Sequence, residues 1–235
     1  MDLVLTLPPT VTAILAGFLS GFVVSVPVGP VNLTIMNEGA RRGFKWAALI
    51  GLGATSMEVL YCILAFTSFA AFFQNKDIKA AMEVFSFAFM LFLGLKFLMA
   101  KSVPKLDQLE ERIEKTIETG IEKRFHPTSG FMTGFVRTLA NPGVLLCWIV
   151  LGAYFISRGW VEPTMRGKLF CIAGVAGGVG AWFFGLSWGA ALGHGRFTDR
   201  TMRRMEIGSG IGLLALGVIH GIHLAWQLAK ARGLG

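Results

Sequence analysis

A few polar residues lie inside long apolar runs, and any chemistry this chain does must start from them. Glu58 sits near the middle of one run. A charged carboxyl there costs about 2.5–3.5 kcal/mol on insertion scales, so it must face a cavity, meet a partner or carry a proton. The last option suits a proton-coupling site; the plainer reading is a structural hydrogen bond to a neighbouring helix. Thr55 lies one turn earlier and could share its surroundings. Arg137 is seven residues into a later run, where it could hold a carboxylate, pair with Glu58, or snorkel toward the interface. Asn32 and Asn141 accompany two breaks in the apolar pattern. Their amides could satisfy freed backbone groups, or bind the ammonium and carboxylate of a solute. Pro27, Gly29, Pro30 and Pro142 shape the backbone around them.

The first break, Ser25-Val26-Pro27-Val28-Gly29-Pro30-Val31-Asn32, organises the chain. Each proline removes an amide donor, and its ring clashes with the carbonyl one turn back. In hydrocarbon, freed backbone groups must find protein or water partners, so such a break is tolerated only where it is buried in protein or lines a cavity. Discontinuous helices are also how many carriers present backbone dipoles to a solute. The expectation is a transporter with this break in its path.

Composition agrees. Of the 235 residues, 54% are hydrophobic and 15% charged, against about 25% charged in a soluble domain; mean hydropathy is +0.62. The fold class expected is an all-α polytopic membrane protein. Six spans can be drawn: 11–37, broken at 27–30; 44–73; 79–100; 130–157, interrupted at 141–143; 167–193; and 206–229. The net charge of +8 reflects membrane orientation and not nucleic-acid binding. Thirteen basic residues fall in the loops after the first, third and fifth spans, and seven on the opposite side. Positive-inside then places both termini outside and the connector 101–129 in the cytoplasm. Leu106, Leu109, Ile113, Ile117 and Ile121 give that connector one apolar helical stripe. The first apolar run lacks a basic leader segment and is read as a retained span.

The chain divides into a first three-span repeat (1–100), the connector (101–129) and a second three-span repeat (130–235). Gly17-Phe18-Leu19-Ser20-Gly21-Phe22-Val23 matches Gly130-Phe131-Met132-Thr133-Gly134-Phe135-Val136. That register lays 27–30 over 140–143, so the two breaks coincide. Met82-Glu83-Val84-Phe85-Ser86 matches Met205-Glu206-Ile207-Gly208-Ser209, and Gly94 then meets Gly217. An odd number of spans per half makes the halves inverted relative to each other. Corresponding broken helices then place a solute site between the halves, near the midplane.

Several of these residues resemble the LysE-type amino-acid exporter family. Val28-Gly29-Pro30-Val31-Asn32-Leu33 is close to the family's PGP-x-N pattern, with Val28 in place of its first proline. Gly39, Arg41, Arg42, Gly43, Gly53 and Glu58 follow at family-like spacing. Leu93-Gly94-Leu95-Lys96 resembles the end of its third span, and Asn141-Pro142 its second break, with Gly143 where a lysine is common. The resemblance implies a six-span inner-membrane carrier exporting amino acids or related small solutes by antiport with protons.

Other readings are weaker on the residues. Metal-ion efflux would need Asp, Glu, His or Cys converging on one point, and the spans offer little beyond Glu58. A thiol-redox membrane enzyme would need paired cysteines. Cys62, Cys147 and Cys171 form no CxxC and read as small buried apolar groups. No enzymatic activity, cofactor or resident metal is expected. The partners expected are a small solute, protons and the bilayer. Gly174, Gly178, Gly185, Gly189 and Gly193 let helix backbones approach closely; they permit a homodimer without requiring one. Trp46, Trp160 and Trp226 fit an aromatic belt, Lys96 reads as snorkelling, and His220 and His223 as interfacial.

Overall fold

The computed structural model describes residues 8–27, 29–68 and 129–192 continuously. It also describes 84–85, 87–88, 91–92, 94–95, 98–99, 203–204, 207–208, 210–212, 214–215, 217–219, 221–222 and 226. Lys96, His220, His223, the connector to residue 128, and much of the third and sixth spans lie outside the described residues.

Every continuous element described is helical: α1 (Pro9–Ser25), α2 (Pro30–Arg42), α3 (Phe44–Ser68), α4 (Gly130–Leu139), α5 (Pro142–Ser157) and α6 (Met165–Ala191). Proline stands in the first turn of α1, α2 and α5, where its missing N–H costs nothing and its fixed φ suits the helix. Ser129 caps α4 by accepting from Met132 N, and Thr164 caps α6 by accepting from Gly167 N. Gly43 is the single residue between α2 and α3. Its φ of +82° is open to glycine at little cost, and this lets the chain reverse without a longer loop.

Among the described residues, two helices are each long and apolar enough to cross a bilayer: Phe44–Thr67, and Met165–Ala191 at 27 residues, or about 40 Å. Two further candidates are bent pairs. α1 and α2 meet at 73°, and α4 and α5 at 69°. Both breaks expected from sequence are therefore present. The second falls at Ala140 and Asn141, slightly before the expected 141–143, because α5 restarts at Pro142. The outward faces carry Leu15, Leu19, Leu52, Leu169 and Phe184, as an apolar solvent requires. The interior holds Ile35, Ile50, Ala54, Phe66, Trp148, Leu151, Val175 and Val179.

The helices lock through glycine. α1 packs most extensively on α6, and α3 on α4. A Cβ on Gly21 would lie 2.8 Å from Val175 O, and one on Gly178 would lie 2.8 Å from Phe22 N. On the other side, a Cβ on Gly53 would lie 2.9 Å from Phe135 N, and one on Gly134 would lie 3.0 Å from Ala54 N. Each helix therefore sets its glycines against the partner's backbone. The span-five glycines expected to be a packing signal divide: Gly174 and Gly178 mesh with α1, whereas Gly185 faces open space.

This packing predicts a sharp contrast. Gly134→Ala or Gly178→Ala forces the helix pair apart and costs about 1–3 kcal/mol, as overpacking does. Gly185→Ala, with room for its methyl and better helix propensity, is neutral or stabilising by up to about 1 kcal/mol. Thermal unfolding of the purified protein in detergent reads the difference, and equal melting of all three variants contradicts the packing.

Candidate functional site at the two helix breaks

The first break is held by one side chain. Pro27 and Pro30 bring no N–H, so carbonyls at the end of α1 lose their helical donors. Asn32, only 3% exposed, donates from Nδ2 to Ser25 O at 3.0 Å and also to Pro27 O. Its Oδ1 accepts from Trp182 Nε1 of α6 at 3.2 Å. Of the two compatible roles expected for this amide, satisfying backbone and binding solute, these bonds are the first. Gly29 is extended, with φ of −119° and ψ of −176°, and a Cβ built on it meets nothing within 4 Å. Its glycine is not needed for an unusual φ. The backbone here borders open space.

The second break is held from two sides. Asn141 Oδ1 accepts from Gly143 N at 3.0 Å and Val144 N at 3.4 Å, capping α5. Pro142 opens that helix. The carbonyl of Leu139, at the end of α4, accepts from Tyr61 Oη of α3 at 2.9 Å. Tyr61 stands one turn after Glu58, so that face of α3 looks onto the break.

Glu58 is 5% exposed, and its Oε2 accepts from Trp148 Nε1 of α5 at 3.3 Å. An indole N–H can only donate, which matches an acceptor-rich carboxylate. Arg137, in the last turn of α4, donates from Nη1 to Thr34 Oγ1 at 2.6 Å, and that hydroxyl donates to Pro30 O at 2.7 Å. Arg137 thus reaches from the second break to the first turn after the first break. The ion pairs among the described residues join Glu38 to Arg41 and Arg42; Glu58 meets an indole and not Arg137. Thr55 bonds its own helix at Gly51 O. The three cysteines are free and buried, and no group of three or more His, Cys, Asp or Glu converges among the described residues.

The sequence reading missed Trp148, Trp182, Tyr61 and Thr34. A tryptophan or tyrosine deep in an apolar span carries a donor that must find an acceptor. That is the signal that could have flagged the first three. Thr34 carries none beyond lying one turn after Pro30.

The profile of a protein family described as LysE type translocator matches residues 22–223. The arginine exporter protein ArgO of Yersinia enterocolitica is 30% identical over 92% of this chain and 97% of its own length. A Bacillus subtilis protein, YcgF, named for amino acid efflux, is 24% identical over 88% of this chain and 94% of its own. The chemotactic transduction protein ChpE of Pseudomonas aeruginosa is 25% identical over 68% of this chain and 73% of its own. No solved structure matches the chain.

Asn32→Ala leaves two carbonyls and an indole N–H without their partner. It is expected to cost at least about 1–3 kcal/mol, the penalty for one buried unsatisfied group. Asn141→Ala removes an N-cap, worth about 0.5–2 kcal/mol. Thermal unfolding checks both, and an unchanged Asn32→Ala would show that the break is held otherwise. Gly29→Cys is expected to fold as the native protein does and to react with a small thiol reagent, read by mass shift. The native cysteines, being buried, should stay unlabelled.

Proposed function

This chain belongs to the LysE type translocator family, and from that premise we propose that it is a secondary exporter of amino acids or related small solutes. It works in the cell's inner membrane by alternating access around the two helix breaks, coupled to protons through Glu58. The observation that carries the reading is the pair of breaks, bent by 73° and 69°, with the buried carboxyl of Glu58 on the helix that caps the second. Relatives named for amino acid efflux and for arginine export support the solute class and make arginine the first to try. Arg137 offers a fixed cation suited to a carboxylate, and Glu58 a group able to take and release a proton.

Six spans in two inverted halves are part of the proposal. The register that lays Phe18 over Phe131 and Phe22 over Phe135 supports it. Gly178 faces the first member of each pair and Gly53 the second, as a two-fold relation requires. In the register of Met82 over Met205, Phe87 lies over Gly210 and Leu98 over Gly221. The contacts made are Gly210 with Leu98 and Gly221 with Phe87, which exchange under the same operation. The loop charges support termini outside and the 101–129 connector in the cytoplasm. Pro27, Gly29, Pro30, Asn32, Arg137, Asn141 and Pro142 frame the path; Asn32 and Asn141 act on backbone.

The test is export from cells lacking their own amino-acid exporters and fed arginine-containing dipeptides. The expected result is arginine appearing outside, lost when the proton gradient is collapsed and lost in Glu58→Gln at equal membrane level. Release that survives Glu58→Gln removes Glu58 from the coupling. No release of any amino acid from protein present in the membrane overturns the solute class.

A further inference from the structure

We propose that the bodies that move in this exporter are not its two sequence halves. They are two exchanged sets: α1, α2 and α6 in one, and α3, α4 and α5 in the other. The inference rests on the exporter reading and adds which contacts hold and which slide.

Within the first set, Gly17 and Gly21 of α1 face the backbone of Cys171 and Val175, and Gly174 and Gly178 of α6 face the backbone of Ile14, Phe18 and Phe22. The fit is reciprocal. Sliding by less than a turn would drive a carbonyl out of a glycine notch into a residue bearing a Cβ, and such packed surfaces have discrete arrangements only. Asn32 then ties α2 to the end of α1 and to Trp182 of α6. The Trp182 ring also meets Phe22 edge-on, with centroids 5.6 Å apart. The second set repeats the scheme. Gly130 and Gly134 of α4 mesh with α3 around Ile50, and Gly53 of α3 with Phe131 and Phe135. Tyr61 holds the end of α4, and Glu58 holds α5 through Trp148.

The seam between the sets is built differently. α3 and α6 also pack closely, but through side chains. Phe44 and Phe184 meet edge-on at 5.1 Å, and Gly51 stands against the Cβ of Phe183 with no glycine returned from α6 at that point. Rings and aliphatic groups can exchange partners by rotamer changes, as in shear motions of packed helices. One hydrogen bond that crosses the seam is Arg137 to Thr34. A carboxylate is a stronger acceptor for a guanidinium than a neutral hydroxyl. A solute carrying one would therefore draw Arg137 from Thr34 and remove that tie across the seam.

Two double variants test this in the otherwise native chain: Phe18→Cys with Gly177→Cys, joining α1 to α6, and Phe44→Cys with Phe184→Cys, joining α3 to α6. Each is linked in membranes by a short, permeant bifunctional methanethiosulfonate and released with a reductant. Linking 18 to 177 is expected to leave arginine export unchanged. Linking 44 to 184 is expected to abolish it, with recovery on reduction. Export that stops on linking 18 to 177, or survives linking 44 to 184, overturns the inference. If neither variant exports before linking, the exporter reading is in question, and pulsed EPR decides the inference separately. Spin labels at Leu19 and Leu169, within one set, should give one distance at all pH values, with or without arginine. Labels at Leu19 and Leu52, across the seam, should give a distance that changes with pH or arginine. A changing distance within the set, or a fixed one across the seam, overturns it.

Discussion

A helix in hydrocarbon can stop only where something else takes over its hydrogen bonds, and the fold depends on how that is met at two places. At the first, Asn32 carries the carbonyls of Ser25 and Pro27 on one amide. At the second, Tyr61 carries Leu139 O while Asn141 caps the next helix. These side chains are themselves held. Trp182 takes the oxygen of Asn32, and the α3 backbone that places Tyr61 is fixed against α4 by Gly53 and Gly134. A break is therefore not a weak point of its own helix. It is a joint whose geometry is set by α3 and α6, the two unbroken helices of spanning length among the described residues.

That dependence explains where the glycines lie. Between helices in lipid there is little hydrophobic drive, so association comes from close packing and from hydrogen bonds. The segments before the breaks, α1 and α4, are 17 and 10 residues long, and neither alone has the length of a comfortable span. Each meshes with one of the long unbroken helices, α6 or α3, so the short segment inherits the position of the long one. The stop in the chain then falls at a fixed depth along the pair. Gly43 is the single residue joining α2 to α3, while Asn32 ties α2, the segment after the first break, to the long helix α6.

Much of this could be read from the residues. The prolines at 27, 30 and 142, within apolar runs, announce both breaks, because no continuous helix tolerates them without loss of donors. The repeated Gly-x-x-x-Gly announces close packing, although not its partners. Pairing across the halves, α1 with α6 and α4 with α3, depends on three-dimensional arrangement that no local pattern encodes. Glu58 and Arg137 were visible because charge is rare in a span, but their neighbours were not. Asn32 could be narrowed to backbone, solute or both, and its backbone role is visible only with the positions of Ser25 O and Pro27 O. Trp148 and Trp182 read as apolar bulk, since hydropathy does not register an indole N–H that needs an acceptor.

The polar centre does not share the regularity of the frame that holds it. In the register set by the glycine contacts, Gly53 lies over Gly178, so Glu58 lies over Phe183. In the register of Phe18 over Phe131, Ile35 lies over Trp148. The counterpart of the Glu58 and Trp148 pair is thus Phe183 with Ile35. A Cβ on Gly51 would lie 2.8 Å from Phe183 Cβ and 3.7 Å from Ile35 Cδ1, so both side chains border the same glycine. One aligned pair is a carboxyl bonded to an indole, and the other is a phenyl ring and an aliphatic chain. Under the proposed two-fold relation, the Glu58 carboxyl has no counterpart of its own kind at these positions. Protonation there would act on one side of the proposed pair of halves and not on the other, and a proton can bias an equilibrium between two arrangements only through such a difference.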